Sequence, residues 1–366
     1  MSALSGESVQ GRHKVCPYSE QRTMVISALR LHLKHLQEFN MIVRKKMVDF
    51  MTIYLVHDYA DQTKDKSPAP GFYYEEVAFL SKAIRSLGYS VVCINGVEEL
   101  CERILTIGNH DIVFNLVSGS ESRNREALVP ALCESHRLKY IGTDAFGAAF
   151  SMHKFQSKLF ARHLGVNVPR GIYFDPMVHT EEDFRWELNL LNPPFVVKPN
   201  HENMSRGVMV FQNDAGLFEH IKESCALFGQ AHVVEEYIKG TEASAVIAGT
   251  GHDAQVLSVL AYQPQGFGEI DIFDGKRKTE NDILYVKPDS SKELQDYIRN
   301  CSLLLHRGLH MKDFSRVDWR ITEDEAYFLE ITAFPCLLEG TEFHHAAKYA
   351  GAAFLDFLGS VIRSYL

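Results

Sequence analysis

SRVDWRITEDEAYFLEIT, residues 315–332, contains two apolar runs separated by the polar residues TEDE, a pattern that predicts a β-hairpin. Asp318 and Glu330 alternate with apolar residues, so both can lie on one face of the hairpin and opposite each other. Two facing carboxylates repel unless a cation lies between them, and oxygen-only ligands favour Mg²⁺, with Mn²⁺ as an alternative. Arg316 points to the same side, where it can stabilise a developing negative charge.

The residues before this hairpin predict further strands with hairpin-like separations. They are FVVKP (195–199), GVMVF (207–211), HVVEEYI (232–238), SAVIAG (244–249) and VLSVLAY (256–262). Helices are predicted at 151–164, 214–228, 290–308 and from Glu342 onward, and residues 266–289 have the polar composition of a loop.

Residues 51–142 have a different pattern, in which short apolar strands alternate with helices, as in a parallel α/β domain. The chain therefore has the α/β (α+β) fold class. We predict an N-terminal α/β domain over 51–142, a central subdomain over 143–238 and a C-terminal subdomain over 239–366. Residues 1–50 form an extension that we interpret as dispensable, although 24–50 also fits an amphipathic helix.

Composition excludes several functions for this chain. Its 366 residues carry a net charge of −9, whereas a nucleic-acid-binding domain normally shows a basic stripe. No apolar run approaches the roughly 18 residues of a membrane helix, and the start lacks the pattern of a signal peptide. The seven cysteines form no C-x-x-C pair, which favours reduced thiols and a cytoplasmic location. There is no P-loop motif.

Two strand ends carry residues suited to a nucleotide. Lys198 ends the FVVKP strand and precedes a polar loop, a position that suits phosphate binding but is common for lysines in general. Glu235 and Glu236 end a second strand, and Glu242 follows two residues after Gly240. These carboxylates can bind adenine and ribose, although a solvated turn is the better explanation when they are considered alone.

The order of these motifs resembles the ATP-grasp superfamily. K-P is followed by E-E-Y-I, a lysine-bearing loop, R-V-D and F-L-E-I-x-x-x-P. Within the superfamily the chain is most similar to D-alanine–D-alanine ligases, because SMHKFQSK at 151–158 is similar to their S-M-D-K-x-x-S-K and YIGT at 140–143 to their Y-T-G-S. The resemblance covers residues 51–366 and is weaker before 110. It implies an ATP-grasp fold of three subdomains, with the nucleotide cleft between the two α+β subdomains.

The resemblance also implies roles for individual residues. The ligands of ATP would be Lys154, Lys198, Glu235, Glu236, Tyr237, Ile238, Glu242 and Lys278, with Lys276 as a rival of Lys278. The catalytic residues would be Arg316, Lys278 and Ser205, which lies in a loop over the phosphates with Gly207. The Mg²⁺ ligands would be Asp318, Glu330 and Thr332. The candidates for binding the other substrates are Thr341, Gly340, Arg123 and Glu76.

The implied reaction joins a carboxylate to an amine through an acyl phosphate. The sequence departs from the family pattern at Thr332 (an asparagine in the family), Cys336 (a glycine) and Thr341 (a serine), and also at Met204 and Thr279. These departures fall mostly around the amino-acid pockets, so we expect a peptide or amide ligase with other amino-acid-type substrates. The alternatives are a D-alanine–D-alanine ligase of cell-wall synthesis, a small-molecule kinase, and an ATP-binding protein impaired in catalysis. The resemblance also implies a homodimer.

Overall fold

The computed structural model describes residues 51–58, 72–117, 122–203, 205–264 and 283–366. Met51–Leu366 form one compact unit. The predicted extension at 1–50, the candidate loop lysines Lys276 and Lys278, and Met204 and Thr279 lie outside the described residues. Within the described ranges, no helix is both long and apolar enough to cross a membrane.

The first sheet is parallel, as the alternating strand and helix pattern predicted. Its strands, in the spatial order β2-β1-β3-β4, are β1 (Thr52–His57), β2 (Ser90–Asn95), β3 (Ile112–Asn115) and β4 (Lys139–Ile141). Parallel neighbours need crossover connections, and here these contain helices. The helices are α1 (Phe72–Ser86), α2 (Gly96–Arg103) and α3 (Leu128–His136).

The second sheet is antiparallel and has the order β5-β8-β6-β7. Its strands are β5 (Gly171–Phe174), β6 (Phe195–Pro199), β7 (Met209–Phe211) and β8 (His232–Glu236). Helices α6 (Glu181–Leu188) and α7 (Leu217–Phe228) share a buried core with it that includes Phe174, Phe184 and Phe218. The sequence analysis missed β5 and α6. A capping box between Thr180 and Asp183 is the local signal that marks the start of α6.

The third sheet is also antiparallel and contains the hairpin. Its order is β11-β10-β9-β12-β13, with strands β9 (Thr241–Ala248), β10 (Gln255–Pro264), β11 (Ile283–Val286), β12 (Phe314–Ile321) and β13 (Ala326–Thr332). The long helix α8 (Lys292–Gly308) covers the apolar face of this sheet, where Val317, Trp319 and Phe328 are fully buried. Asp318 and Glu330 therefore lie on the other face. The second and third sheets fall inside the predicted subdomains, whose boundaries stay predictions.

The helix expected over 151–164 is wrong in one respect, because the structure has two helices there. They are α4 (Ala145–Met152) and α5 (Lys154–His163). The chain breaks at His153, whose backbone is extended (φ −86°, ψ 91°). The break makes Lys154 the first residue of α5, where its backbone N–H donates to the carbonyl of Asn200 at 3.1 Å. Two further helices, α9 (Glu342–Tyr349) and α10 (Phe354–Arg363), complete the chain.

The two tryptophans provide a test of where the core lies. The Trp319 side chain is fully buried and its Nε1 donates to Ser302 Oγ at 3.0 Å, whereas Trp186 is 66% exposed. We expect Trp319→Ala to lower the free energy of unfolding by about 3–5 kcal/mol through the cavity it leaves. Trp186→Ala should change it by less than about 0.5 kcal/mol. Urea unfolding of both variants checks this placement, and equal effects would contradict it.

Candidate functional site

A cleft lies between the second and third sheets and is lined by residues of both. Most of the candidate residues line it. Those are Lys154, Lys198, Ser205, Glu235, Glu236, Tyr237, Ile238, Glu242, Asp318 and Glu330. The structure thus brings together residues from the end of β6, the end of β8, the start of α5 and the β12–β13 hairpin.

One wall of the cleft holds a buried carboxylate between two lysines. Glu235, on β8, pairs with Lys198 Nζ at 2.8 Å and with Lys158, which lies one turn beyond Lys154 on α5. Burial acts to raise the pKa of Glu235, but the two ammonium groups outweigh it and lower that pKa. Burial lowers the pKa of Lys158 to about 7; the Glu235 carboxylate opposes this shift and the Lys198 ammonium adds to it. This group carries one positive charge in excess when all three members are ionised.

The opposite wall holds a second ion pair, whose two members are 176 residues apart in the sequence. Lys154 Nζ donates to Glu330 Oε2, which joins the start of α5 to strand β13. Burial acts to raise the pKa of Glu330, but the Lys154 ammonium overrides it and holds the pKa at about 2. The Asn200 side chain fixes the start of α5, because its Oδ1 accepts from the backbone N–H of Phe155 at 2.9 Å.

The hairpin places its two carboxylates opposite each other, as its sequence predicted. Asp318 pairs in register with Glu330, and the register shifts directly afterwards, so that Trp319 faces Phe328. The shift is a β-bulge, and it leaves Leu329 as an additional residue that lines the cleft beside Glu330. Burial raises the pKa of Asp318 to about 6, the Arg316 guanidinium opposes this, and the charge of Glu330 adds to it.

These carboxylates fit a magnesium ion held partly by a substrate. They supply only oxygen, and a cation beside them would reduce both the cost of burying the Asp318 charge and the repulsion from Glu330, which together raise the pKa of Asp318. Among the residues that the structure describes, no three His, Cys, Asp or Glu side chains cluster as a metal site. Two carboxylates are nevertheless what Mg²⁺ commonly takes from a protein when phosphates complete its shell. Thr332, the third candidate ligand, faces Arg316 across the strands.

Arg316 is anchored from two sides. Its Nε and Nη2 each donate to Asp318 at 2.9 Å, and its Nη1 donates to Glu342 at 3.1 Å. Burial acts to lower the pKa of Arg316, but the two carboxylates raise it, so the guanidinium carries a full charge. This is the donor group expected to stabilise a developing oxyanion.

The loop after β6 approaches the cleft with unusual backbone. Ser205 lines the cleft with φ of 56°, a conformation that few residues other than glycine adopt. Gly207 has φ of 73°, and a Cβ there would lie 2.8 Å from side-chain atoms of Pro199 and Phe228. Backbone that is folded this tightly can direct N–H groups at a phosphate.

The candidates for binding the other substrates are more dispersed. Glu76, on α1, is 4% exposed and accepts from the backbone N–H of Leu337 at 2.7 Å; burial raises its pKa to about 7. The Thr341 hydroxyl donates within its own loop to the carbonyl oxygens of Cys336 and Leu338, at 3.0 and 2.7 Å. Gly340, in the same loop, has φ of 87°.

Arg123 is an exposed residue that does not line the cleft. Its charge does reach two neighbouring histidines whose rings lie 4.4 Å apart, His153 and His201. Burial and then nearby positive charges lower the pKa of both, to about 3 for His201. An arginine with neutral histidines beside it is compatible with anion binding.

Sequence reasoning missed several residues of the site. Lys158 lies in a motif that was recognised but was given no role. Arg320 lines the cleft with Asp318, and the period-two spacing of the two residues could have shown this. No local signal identifies Leu329, because the bulge that exposes it depends on the pairing of β12 with β13.

Comparison with known proteins was made against families, sequences and solved structures. The family model "D-ala D-ala ligase C-terminus" matches residues 160–363. The D-alanine–D-alanine ligase of Thermotoga petrophila is 25% identical over 285 residues, which cover 78% of this chain and 89% of that protein.

Two solved structures share the fold. The crystal structure of D-alanine–D-alanine ligase from Bacillus anthracis complexed with ATP matches with a TM-score of 0.68 at 21% identity, covering 86% of this chain and 97% of the other. The VanG D-Ala:D-Ser ligase from Enterococcus faecalis matches with a TM-score of 0.67 at 18% identity, covering 86% and 99%. The predicted ATP-grasp fold is therefore confirmed.

Glu126 is a buried carboxyl that contacts the loop after β6. Glu126 is 4% exposed, and its Oε1 accepts from Asn203 Nδ2 at 2.9 Å. Burial raises its pKa from 4.5 to about 7, although Asn203 and nearby cations oppose this. Because the pKa of the folded state is the higher one, the contribution of Glu126 to stability is fully present below pH 4.5 and is lost as the pH rises through about 7.

We expect Glu126→Gln, which resembles the protonated side chain, to match the wild type near pH 4.5 and to exceed it by about 3 kcal/mol at pH 8. Urea unfolding at both values measures this, with Glu102→Gln on the exposed surface as the matched control. A difference that does not change with pH would mean that Glu126 ionises normally in the fold.

Proposed function

The chain belongs to the D-alanine–D-alanine ligase family of ATP-dependent carbon–nitrogen ligases, and from this membership we propose that it joins an amino acid to another small molecule through an amide bond. The observation that carries the proposal is the cleft itself. Lys154 and Lys198 line the same cleft as Asp318 and Glu330, which face each other in register. A nucleoside triphosphate needs this combination, because its phosphates require cations and its metal requires oxygen ligands.

The nucleotide occupies this cleft. Lys154 and Lys198 bind its phosphates, and the loop with Ser205 covers them. The adenine and ribose lie against Glu235, Glu236, Tyr237, Ile238 and Glu242. The ATP complex of the Bacillus anthracis ligase, which shares the fold, supports this assignment. Lys278, outside the described residues, remains a predicted ligand of the γ-phosphate.

Phosphate binding requires the lysines to exchange partners. Lys154 pairs with Glu330, and Lys198 pairs with Glu235. Asp318 and Glu330, with Thr332 nearby, would hold a magnesium ion, which neutralises phosphate charge when it is bound. Glu330 then no longer needs Lys154 as its partner, and the ammonium becomes available for phosphate. Lys158 keeps Glu235 compensated in the same way when Lys198 turns to the nucleotide.

Chemistry then proceeds in two steps. The carboxylate of one substrate attacks the γ-phosphorus of ATP, which releases ADP and forms an acyl phosphate. The amine of the second substrate attacks the acyl carbon, the tetrahedral intermediate loses phosphate, and an amide remains. Arg316 donates to the developing oxyanion of that intermediate. The protein contributes mainly positioning and charge neutralisation.

The substrates differ from two D-alanines in this proposal. Cys336, Thr332 and Thr341 stand where the family pattern has glycine, asparagine and serine, and the Thr341 hydroxyl is engaged by two carbonyls of its own loop. D-alanine–D-alanine ligation is the second candidate, supported by the ligase of Thermotoga petrophila at 25% identity. The fold itself accommodates more than one acceptor, as the name of the VanG D-Ala:D-Ser ligase indicates.

The direct test incubates the purified chain with ATP, Mg²⁺ and pools of D- and L-amino acids, with ADP release and product mass as readouts. We expect ADP in a 1:1 ratio to an amide product, and less product from D-alanine alone than from another pair. A phosphorylated product without an amide would indicate a kinase. Tight ATP binding with no ADP from any pool would indicate that catalysis has been lost.

Variants of the hairpin test the role assignments. Arg316→Ala should lower kcat by about 10²–10³-fold, the cost of losing one oxyanion donor. Glu330→Gln should abolish ADP release because it weakens the metal pair. Glu323→Gln, at the exposed turn of the same hairpin, is the control and should keep wild-type activity. Near-normal turnover in either site variant, with the fold intact by circular dichroism, would contradict the assignment.

A further inference from the structure

Five polar side chains, Arg316 among them, contact one another in a closed ring. Its members come from three neighbouring strands and the first residue of α9. They are Arg316 and Asp318 on β12, Ser244 on β9, Tyr262 on β10 and Glu342 on α9. Neither Glu342 nor Tyr262 carries a role in the reaction described above.

The ring closes through a continuous series of contacts. Arg316 binds Asp318 through Nε and Nη2, and Ser244 Oγ donates to Asp318 Oδ1. The hydroxyls of Ser244 and Tyr262 are 2.5 Å apart; each has one hydrogen, so this contact is a hydrogen bond only when one of the two does not donate to its carboxylate. Tyr262 then donates to Glu342 Oε1 at 2.9 Å, and Arg316 Nη1 donates to the same oxygen at 3.1 Å. Each member is therefore held by two others.

Burial makes these contacts strong. Ser244 is fully buried, and Tyr262 and Glu342 are 8% and 9% exposed. A carboxylate in such a place is costly unless it is paired, so the fold retains Glu342 only because Arg316 and Tyr262 compensate it. The ring contains one guanidinium and two carboxylates, so it carries a net charge of −1 when all three groups are ionised.

The guanidinium has five N–H donors, and the ring uses three of them. One N–H on Nη1 and one on Nη2 remain after the bonds to Asp318 and Glu342. Asp318 alone anchors the Nε–Nη2 edge, and a cation bound by Asp318 would compete for that carboxylate. Glu342 holds the guanidinium through a different nitrogen, so it keeps the group in place when Asp318 is shared.

We propose that Glu342 is a positioning residue, which fixes the Arg316 guanidinium so that its two remaining N–H groups are directed at the oxyanion of the tetrahedral intermediate. The effect of Glu342 on the reaction rests on the proposed ligase function. The immobilisation of Arg316 by Glu342 is a property of the protein alone and can be measured without turnover.

The first experiment records the ¹⁵N side-chain resonances of Arg316 in the full chain by NMR, assigned through their loss in Arg316→Lys. We expect slowed rotation of the guanidinium in the wild type, with separate Nη signals, and merged Nη signals in Glu342→Ala. Glu342→Gln keeps an acceptor oxygen without the charge and should give intermediate behaviour. Unchanged Nη signals in Glu342→Ala would overturn the proposal, whether or not the chain proves to be a ligase.

The second experiment measures turnover with the substrate pair that the amino-acid pool assay identifies. Glu342→Ala should lower kcat by about 10²-fold, as expected for a misplaced catalytic group, with the KM for ATP unchanged within a factor of about two. In combination with Arg316→Lys the two losses should be less than multiplicative, because both act through one guanidinium. Fully multiplicative losses, or an unchanged kcat, would overturn the proposal.

Two further variants separate positioning from general stability. Tyr262→Phe opens the ring but leaves the contact between Arg316 and Glu342, so it should have a smaller effect on kcat than Glu342→Ala. Glu293→Gln changes an exposed glutamate in the first turn of α8 and controls for the effect of a charge at a helix start. If Glu293→Gln lowers kcat as much as Glu342→Ala does, removal of a charge from a helix start is enough to lower kcat, and the effect of Glu342 does not depend on its contact with Arg316.

Discussion

Two carboxylates facing each other across a hairpin are the constraint around which this site is organised. Asp318 and Glu330 pair in register on a face with little access to water, and each would repel the other if left uncompensated. Two cations reduce this repulsion. Arg316 donates two hydrogen bonds to Asp318 on the same strand, and Lys154, at the start of a helix, pairs with Glu330.

The same principle operates on the opposite wall, where Lys158 and Lys198 share Glu235. In the proposed function, the members of these pairs exchange partners when a ligand of high charge binds. A phosphate can take a lysine from its carboxylate, and a divalent cation can take the place of that lysine. Each exchange replaces one opposite charge by another, so that no buried charge is left without a partner.

The architecture could be predicted in outline, and the places where prediction stopped have physical causes. Strands β6 and β13 were predicted at their observed bounds, since apolar runs bounded by turn residues carry a strong local signal. The break at His153 was not predicted, because a helical pattern continues across it and tertiary contacts with Asn200 decide where α5 begins. The strand β5 and helix α6 were missed although a capping box marks the latter.

The sequence alone determined the residue types that do the chemistry, their order and the facing of Asp318 and Glu330. It could do so because the period of two along a strand fixes the face of each side chain. Only the tertiary structure decided which cation meets which carboxylate, since Lys154 and Glu330 are 176 residues apart. The tertiary structure also decided that a β-bulge places Leu329 in the lining of the cleft and that Glu342 binds Arg316. These contacts depend on how sheets and helices pack, and no local pattern records that.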